Sequence, residues 1–166
     1  MLFRSAADPS YPCCSFRGSI VALDAHSGEV AWKRHTIAEE PTEAGKNARG
    51  TPILAPSGAP VWNTPTVDVR RGRLYFGTGE NYSSPAQGTS DAVLAMDIDS
   101  GDPGWVFQAT TGDAWNLACM PFIPDKSNCP KENGPDVDFA SPPALVAGDD
   151  REILVAGDRK STRLNS

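Results

Sequence analysis

Several things are missing from this sequence, and each absence narrows what it can be. No apolar run approaches the roughly 20 residues of a membrane-spanning helix. Basic residues neither cluster nor dominate: 15 Lys and Arg stand against 21 Asp and Glu, for a net charge of −6. Nucleic-acid binding, which leans on neutralising phosphates, is therefore excluded. There are only two histidines and no CxxC pair, so a structural zinc site is excluded as well. The first residues, Met1-Leu2-Phe3-Arg4, lack the apolar h-region of a secretory leader, and the chain is expected to begin inside a longer protein.

Turn-forming residues are abundant. The 166 residues include 15 glycines and 15 prolines, with 39% apolar and 22% charged residues. That load cuts a globular chain into short pieces and points to an all-β fold with many turns. The four cysteines are Cys13, Cys14, Cys119 and Cys129. An even number favours disulfides and an oxidising compartment, but four cysteines allow three pairings, and the sequence does not choose among them.

Internal repetition is the strongest signal. Ala22-Leu23-Asp24, Ser27-Gly28 and Trp32 recur with identical spacing as Ala95-Met96-Asp97, Ser100-Gly101 and Trp105. The pattern predicts a β-hairpin: a strand ending at Asp, a Ser-Gly turn in which glycine accepts positive φ, and a second strand carrying Trp into the core. A second repeated unit reads as strand, polar turn, strand. It runs from Pro65 through Arg71-Gly72-Arg73 to Gly77, and again from Pro143 through Asp150-Arg151-Glu152 to Ala156.

Joined in order, the two units predict four consecutive antiparallel strands between residues 64 and 107, one blade of a β-propeller. Residues 19–34 supply the last two strands of a preceding blade and residues 143–157 the first two of a following one. The expected fold class is thus all-β, a propeller fragment of one full four-stranded blade flanked by two half-blades. Propellers close with about 4 to 8 blades, so the sequence is expected to be cut at both ends. Residues 1–157 form the partial propeller domain, and residues 158–166 read as a non-native or disordered tail. The segments Ala38 to Trp62 and Thr110 to Pro142 read as long loops gathered on the ligand-binding face.

One ordered set of residues carries a resemblance. Trp62 is followed six residues later by Asp68, then by the turn Gly77-Thr78-Gly79-Glu80-Asn81, the Ala95-to-Trp105 hairpin, and Asp113-Ala114-Trp115-Asn116. The set resembles the quinoprotein alcohol dehydrogenases, eight-bladed propellers that hold pyrroloquinoline quinone (PQQ) and a calcium ion on their axis. Cys13-Cys14-Ser15-Phe16-Arg17-Gly18, Asn128-Cys129-Pro130 and Gly134-Pro135-Asp136 are similar to the polyvinyl-alcohol dehydrogenase subgroup of that family.

The resemblance implies roles for named residues. Trp62 stacks under the quinone ring, since an aromatic face suits a flat, electron-poor cofactor. Asp113 stands beside the quinone and the calcium and takes the alcohol proton as general base. Glu80 replaces the asparagine that ligates calcium in the wider family, and with Asn81 and Asp113 it offers the oxygen ligands a hard cation prefers. Arg17 lies near the cofactor site. Cys13 and Cys14 belong to a different blade from the family's vicinal disulfide, so that role is not transferred. A Cys119–Cys129 disulfide that stiffens the segment after Asp113 is expected, with free thiols as the alternative. Trp32 and Trp105 are expected in the repeat core, not at the site.

The implied activity is oxidation of secondary or polymeric hydroxyl groups of an alcohol substrate, in the periplasm or outside the cell. The resemblance implies that electrons pass to a cytochrome c or a fused haem domain; no C-x-x-C-H haem motif is present in this stretch, so the acceptor is not encoded here. The isolated chain, lacking most of the cofactor pocket, is expected to be inactive. A non-catalytic propeller scaffold, in an assembly or sensor module, is the alternative. Such a scaffold has no need of Trp62, Glu80-Asn81 and Asp113.

Overall fold

The computed structural model describes residues 6–159. It is built almost wholly of short antiparallel strands. Strand β1 (Ser19–Leu23) pairs with β2 (Val30–His35), and β3 (Thr42–Lys46) pairs with β4 (Pro52–Ala55). Strands β5 (Thr66–Asp68), β6 (Arg73–Gly77), β7 (Ala92–Asp97) and β8 (Pro103–Gln108) form a four-stranded sheet in sequential order. Strand β9 (Ala144–Ala147) pairs with β10 (Glu152–Val155). One whole blade and two half-blades are therefore present, as the repeat predicts. Among the described residues no helix is long and apolar enough to cross a membrane.

The repeated hairpins fold alike for a visible reason. Oδ1 of Asp24 accepts the backbone N–H groups of His26 at 3.0 Å and Ser27 at 2.7 Å, and the Ser27 hydroxyl at 3.0 Å. Oδ1 of Asp97 accepts the corresponding groups of Asp99 at 3.1 Å, and of Ser100 at 3.0 and 3.2 Å. The Asp satisfies the turn's amides, and Gly28 (φ 75°) and Gly101 (φ 70°) then close it in the left-handed region.

Core packing links one blade to the next. Trp32, from the first hairpin, is buried with Leu74, Phe76, Ala92, Leu94 and Met96 of the central blade. Its indole N–H donates to the carbonyl of Ile98 at 3.1 Å, inside the Ser-Gly turn of that blade. A β-carbon on Gly101 would sit 2.6 Å from the Trp32 ring, so the turn must be glycine for the tryptophan to seat. The expectation for the second tryptophan is corrected. Trp105 is 47% exposed, and its ring meets that of Tyr75 in a tilted contact, at 5.9 Å between centroids. Its partner surface would be the corresponding Ser-Gly turn of a third blade, and the described residues of that blade are only the β9–β10 hairpin.

The segment read as a loop from Ala38 to Trp62 contains structure of its own. Hairpin β3–β4 is extended on one side by Cys13 and Cys14, whose amides donate to the carbonyls of Pro52 and Leu54 at 3.3 and 3.4 Å. It also reaches the 110–142 segment: Asn47 donates to Asn128 at 2.8 Å and Arg49 pairs with Asp125 at 2.7 Å. The sequence hides this hairpin because four of its strand residues, Thr42, Glu43, Gly45 and Lys46, are polar or lack a side chain, and the whole of β3 is exposed. The 110–142 segment carries one 3-10 turn, Leu117–Cys119, capped by Asn116, whose side chain accepts from the Ala118 N–H. It is closed by the expected Cys119–Cys129 disulfide. Of the tail read as non-native, residues 160–166 lie outside the described residues, while the Arg159 amide donates to Asp138 at 2.8 Å.

Two outcomes follow from this packing. Phe76 is fully buried at the centre of the blade. Phe76→Ala is expected to lower stability by about 3–5 kcal/mol, read as an earlier urea midpoint at an unchanged slope. Cys119→Ser opens a loop whose ends lie 10 residues apart. It is expected to lower stability by about 2–3 kcal/mol and to make the peptide bonds between 119 and 129 the first cut in limited proteolysis.

Candidate functional site

Four separate segments meet at the inner ends of the strands through single backbone pairings. Arg17 pairs with Gly58, Gly58 with Asn81, and Asn81 with Ala114. Gly18 N–H donates to Gly58, Ala59 N–H to Glu80, Tyr82 N–H to Ser57 and Trp115 N–H to Asn81, all between 2.7 and 2.9 Å. Gly58 sits at φ 109°, and a β-carbon there would lie 2.5 Å from the Tyr82 nitrogen. Only glycine permits this approach. Trp62, Glu80 and Asp113 each lie within a few residues of the row, which is how positions distant in sequence come together.

Two of the residues read from sequence for the site, Asn81 as a metal ligand and Arg17 near the cofactor, are spent on this framework. The Asn81 amide donates to the Ser57 carbonyl at 2.9 Å, and its oxygen accepts the Gln87 N–H at 2.8 Å. Arg17 donates to the carbonyls of Ile37, Ala38 and Glu39 at 2.9–3.2 Å and pairs with Glu40. Its guanidinium ties down the chain after β2 and does not line the cavity described next.

A cavity of about 880 Å³ opens beside the row. Trp62, Glu80, Tyr82, Trp115, Phe16 and Cys14 are among the residues that line it. Trp62 is 53% exposed, so its ring is free to stack and is not a core residue. Cys13 and Cys14 are joined to each other and packed on Tyr82. The sequence reading set this pair aside as part of another blade. The structure corrects that: Cys14 and Trp62 border one cavity. Adjacency in sequence gave no hint, because the backbone pairing to β4 that carries Cys13 and Cys14 to the cavity comes from a hairpin the sequence does not announce.

Behind the cavity lies an acidic cluster. Glu80, Asp91 and Asp138 are buried and bring one carboxylate oxygen each within 4.8 Å of the others. Asp138 arrives because Phe139 N–H donates to the Thr78 carbonyl at 3.2 Å, laying the 138–139 segment against the end of β6. Glu80 Oε2, both oxygens of Asp91 and Asp138 Oδ1 have no hydrogen-bond partner. Burial first, then the Asp138 carboxyl beside it, holds Glu80 well above the carboxylate range. Burial, then the charges of Asp113, Asp138 and Asp136, pushes Asp91 up to about 8. Such groups hold protons at neutral pH unless a cation replaces them. Oxygen donors left bare in a dry site fit a hard cation such as calcium.

Asp113 is fully buried, with Oδ1 unpartnered and Oδ2 accepting from the Val137 N–H at 3.4 Å. Burial raises its pKa. It does not border the cavity, and Gly134 lies directly against its carboxylate. Of the residues proposed from sequence, the structure therefore gathers Trp62 and Glu80 at the cavity, sets Asp113 behind them, and uses Asn81 and Arg17 as framework. Asp91 and Asp138 were missed. Both are single acids in polar stretches, with no spacing to distinguish them from turn formers.

Comparison with known proteins agrees with this architecture. The family model for the glucose/ethanol/alcohol dehydrogenase β-propeller domain, named PQQ, matches residues 4–128. The chain is 37% identical over 155 residues to a polyvinylalcohol dehydrogenase from a Pseudomonas species, covering 93% of this chain and 24% of that protein. It is also 37% identical over 152 residues to the polyvinylalcohol dehydrogenase of a Sphingopyxis species, covering 91% and 23%. The chain thus spans about a quarter of the length of these relatives. Its fold is similar to the crystal structure of quinohemoprotein alcohol dehydrogenase from Comamonas testosteroni, with a TM-score of 0.53 and 22% identity over 86% of this chain and 22% of that one. The chain belongs to the PQQ β-propeller family of glucose, ethanol and alcohol dehydrogenases.

Proposed function

We propose that this chain forms part of the cofactor pocket of a PQQ-dependent dehydrogenase that oxidises secondary or polymeric hydroxyl groups. The observation that carries the reading is a cavity bordered both by the open face of Trp62 and by the Cys13–Cys14 disulfide, with unpartnered carboxylate oxygens at its back. A planar, anionic quinone fits such a place: an aromatic ring offers one stacking surface, and a cation held by the acidic cluster offsets its carboxylates. The 37% identity to polyvinylalcohol dehydrogenases supports a polymeric or secondary alcohol as substrate. The quinone, when bound, supplies the two-electron acceptor for the hydride from the alcohol carbon.

The residues of the chain do the rest. Trp62 holds and orients the ring. Glu80, which reaches both the cavity and the cluster, holds calcium; Asn81 and Asp113, also read from sequence as ligands, support its backbone and its surroundings. The hydroxyl proton needs a carboxylate as acceptor. Asp113 and Asp138 are both buried behind the cavity. Asp138 belongs to the acidic cluster suited to the cation, and we assign the proton to Asp113, whose Oδ1 has no partner. Electrons then leave to a cytochrome c. Two disulfides fit an oxidising compartment, the periplasm or the exterior. At a quarter of the length of its relatives, the chain alone is expected to be inactive.

PQQ titration, with and without calcium, tests this in the longest reading frame that contains the chain. Binding is expected to depend on calcium and to weaken at least about tenfold in Trp62→Ala, since stacking on an aromatic face contributes about 1–3 kcal/mol. Asp113→Asn is expected to retain PQQ within a few-fold and to lose about a hundredfold or more of dye-linked alcohol oxidation. Asp138→Asn, in the acidic cluster, is expected to weaken calcium-dependent PQQ binding instead. The reverse order would move the proton to Asp138, and wild-type protein that ignores PQQ would leave a propeller scaffold.

A further inference from the structure

Asp91 has no part in the chemistry described so far, and its surroundings are unusual. It is fully buried, and neither of its oxygens completes a hydrogen bond; the neighbouring Ser90 hydroxyl, the last of the influences on its pKa, donates to the Gln87 carbonyl at 2.9 Å. Resting on the calcium reading above, we propose that Asp91 is a third protein ligand, so that the cation is held by carboxylates from three separate segments of chain.

The placement follows from the sheet. The pairing of β6 with β7 continues past its last registered residues: Thr78 N–H donates to Ala92 at 2.9 Å and Asp91 N–H to Gly79 at 3.0 Å. Asp91 thus lies across from Gly79, next to Glu80. Asp138 completes the group from the third segment, with one oxygen from each residue within 4.8 Å of the other two. Asp91 takes φ 47°, a left-handed conformation that Asp tolerates better than most residues. Among the described residues one guanidinium reaches the cluster: Arg159 meets Oδ2 of Asp138 at 3.4 Å, leaving Oδ1 open and Asp91 untouched. The other acids near Asp91 are Asp113 and Asp136, so its neighbours repel its charge and none cancels it. A buried carboxylate with no hydrogen bond and no counter-charge is expensive to fold. An ion bound among three such groups removes that cost. All donors are oxygens, the ligand type that calcium takes, and charge count is one of the factors that set its affinity.

The test is a calorimetric titration of calcium into chelator-stripped protein made from the longest reading frame containing this chain, with and without PQQ. Wild type, Asp91→Asn and Glu80→Gln are compared. Wild type is expected to take up one calcium at this site. Asp91→Asn should bind it at least tenfold more weakly, while its melting temperature in chelator holds, because neither oxygen of Asp91 has a hydrogen bond for the fold to lose. A merely structural Asp91 would give the opposite pair of results, a lower melting temperature with unchanged affinity, and would overturn the proposal. Loss of binding in Glu80→Gln beside normal binding in Asp91→Asn would keep the calcium site and remove Asp91 from it. No binding by wild type in either condition would overturn both readings.

Discussion

The site depends on one constraint, the row of backbone pairings through Arg17, Gly58, Asn81 and Ala114. No blade supplies the cavity by itself. Each segment of the row comes from a different connection, and each carries one functional side chain a few residues away. The approach of Gly58 to Tyr82 leaves no room for a side chain, and the Ser57 and Ser83 hydroxyls meet at 2.6 Å to lock the same two segments. Asn81 matters here through its amide, which fastens both Ser57 and Gln87. The framework is therefore polar and fully hydrogen-bonded, while the acids it presents are not. That contrast separates structure from function in this part of the molecule.

The blades were legible in the sequence because their information is local. Asp24 and Asp97 organise their own turns, and Gly28 and Gly101 close them. The identical spacing of the two copies then fixed strand order. Trp32 was legible for the same reason. Trp105 was misjudged because a repeated residue is buried only if its neighbouring repeat supplies the matching surface, which is not a local property.

The site was legible only in part. Trp62 and Glu80 flank a strand and a turn with a recognisable order, and both border the cavity or the cluster. Asp138 and Asp91 were invisible because their significance comes from being buried together, and burial of a lone acid leaves no periodic trace. Arg17 shows the converse. A basic residue beside a site-forming hairpin looked functional, yet its guanidinium is held by three carbonyls after β2 and by Glu40. The hairpin β3–β4 was hidden because its outer strand buries nothing. Its contribution is positional: it carries Cys13 and Cys14 to the cavity and reaches the disulfide-closed segment through Asn47 and Arg49.

The seat of Trp32 on the turn of the following blade has a consequence for how such an array comes apart. The Ser-Gly turn at Gly101 closes its own hairpin and also receives Trp32 of the hairpin before it. A disturbance at Gly101 is thus felt on both sides of a blade boundary, and the central blade cannot loosen without releasing that tryptophan. The first hairpin and the central blade would yield together, like two stones that share a keystone.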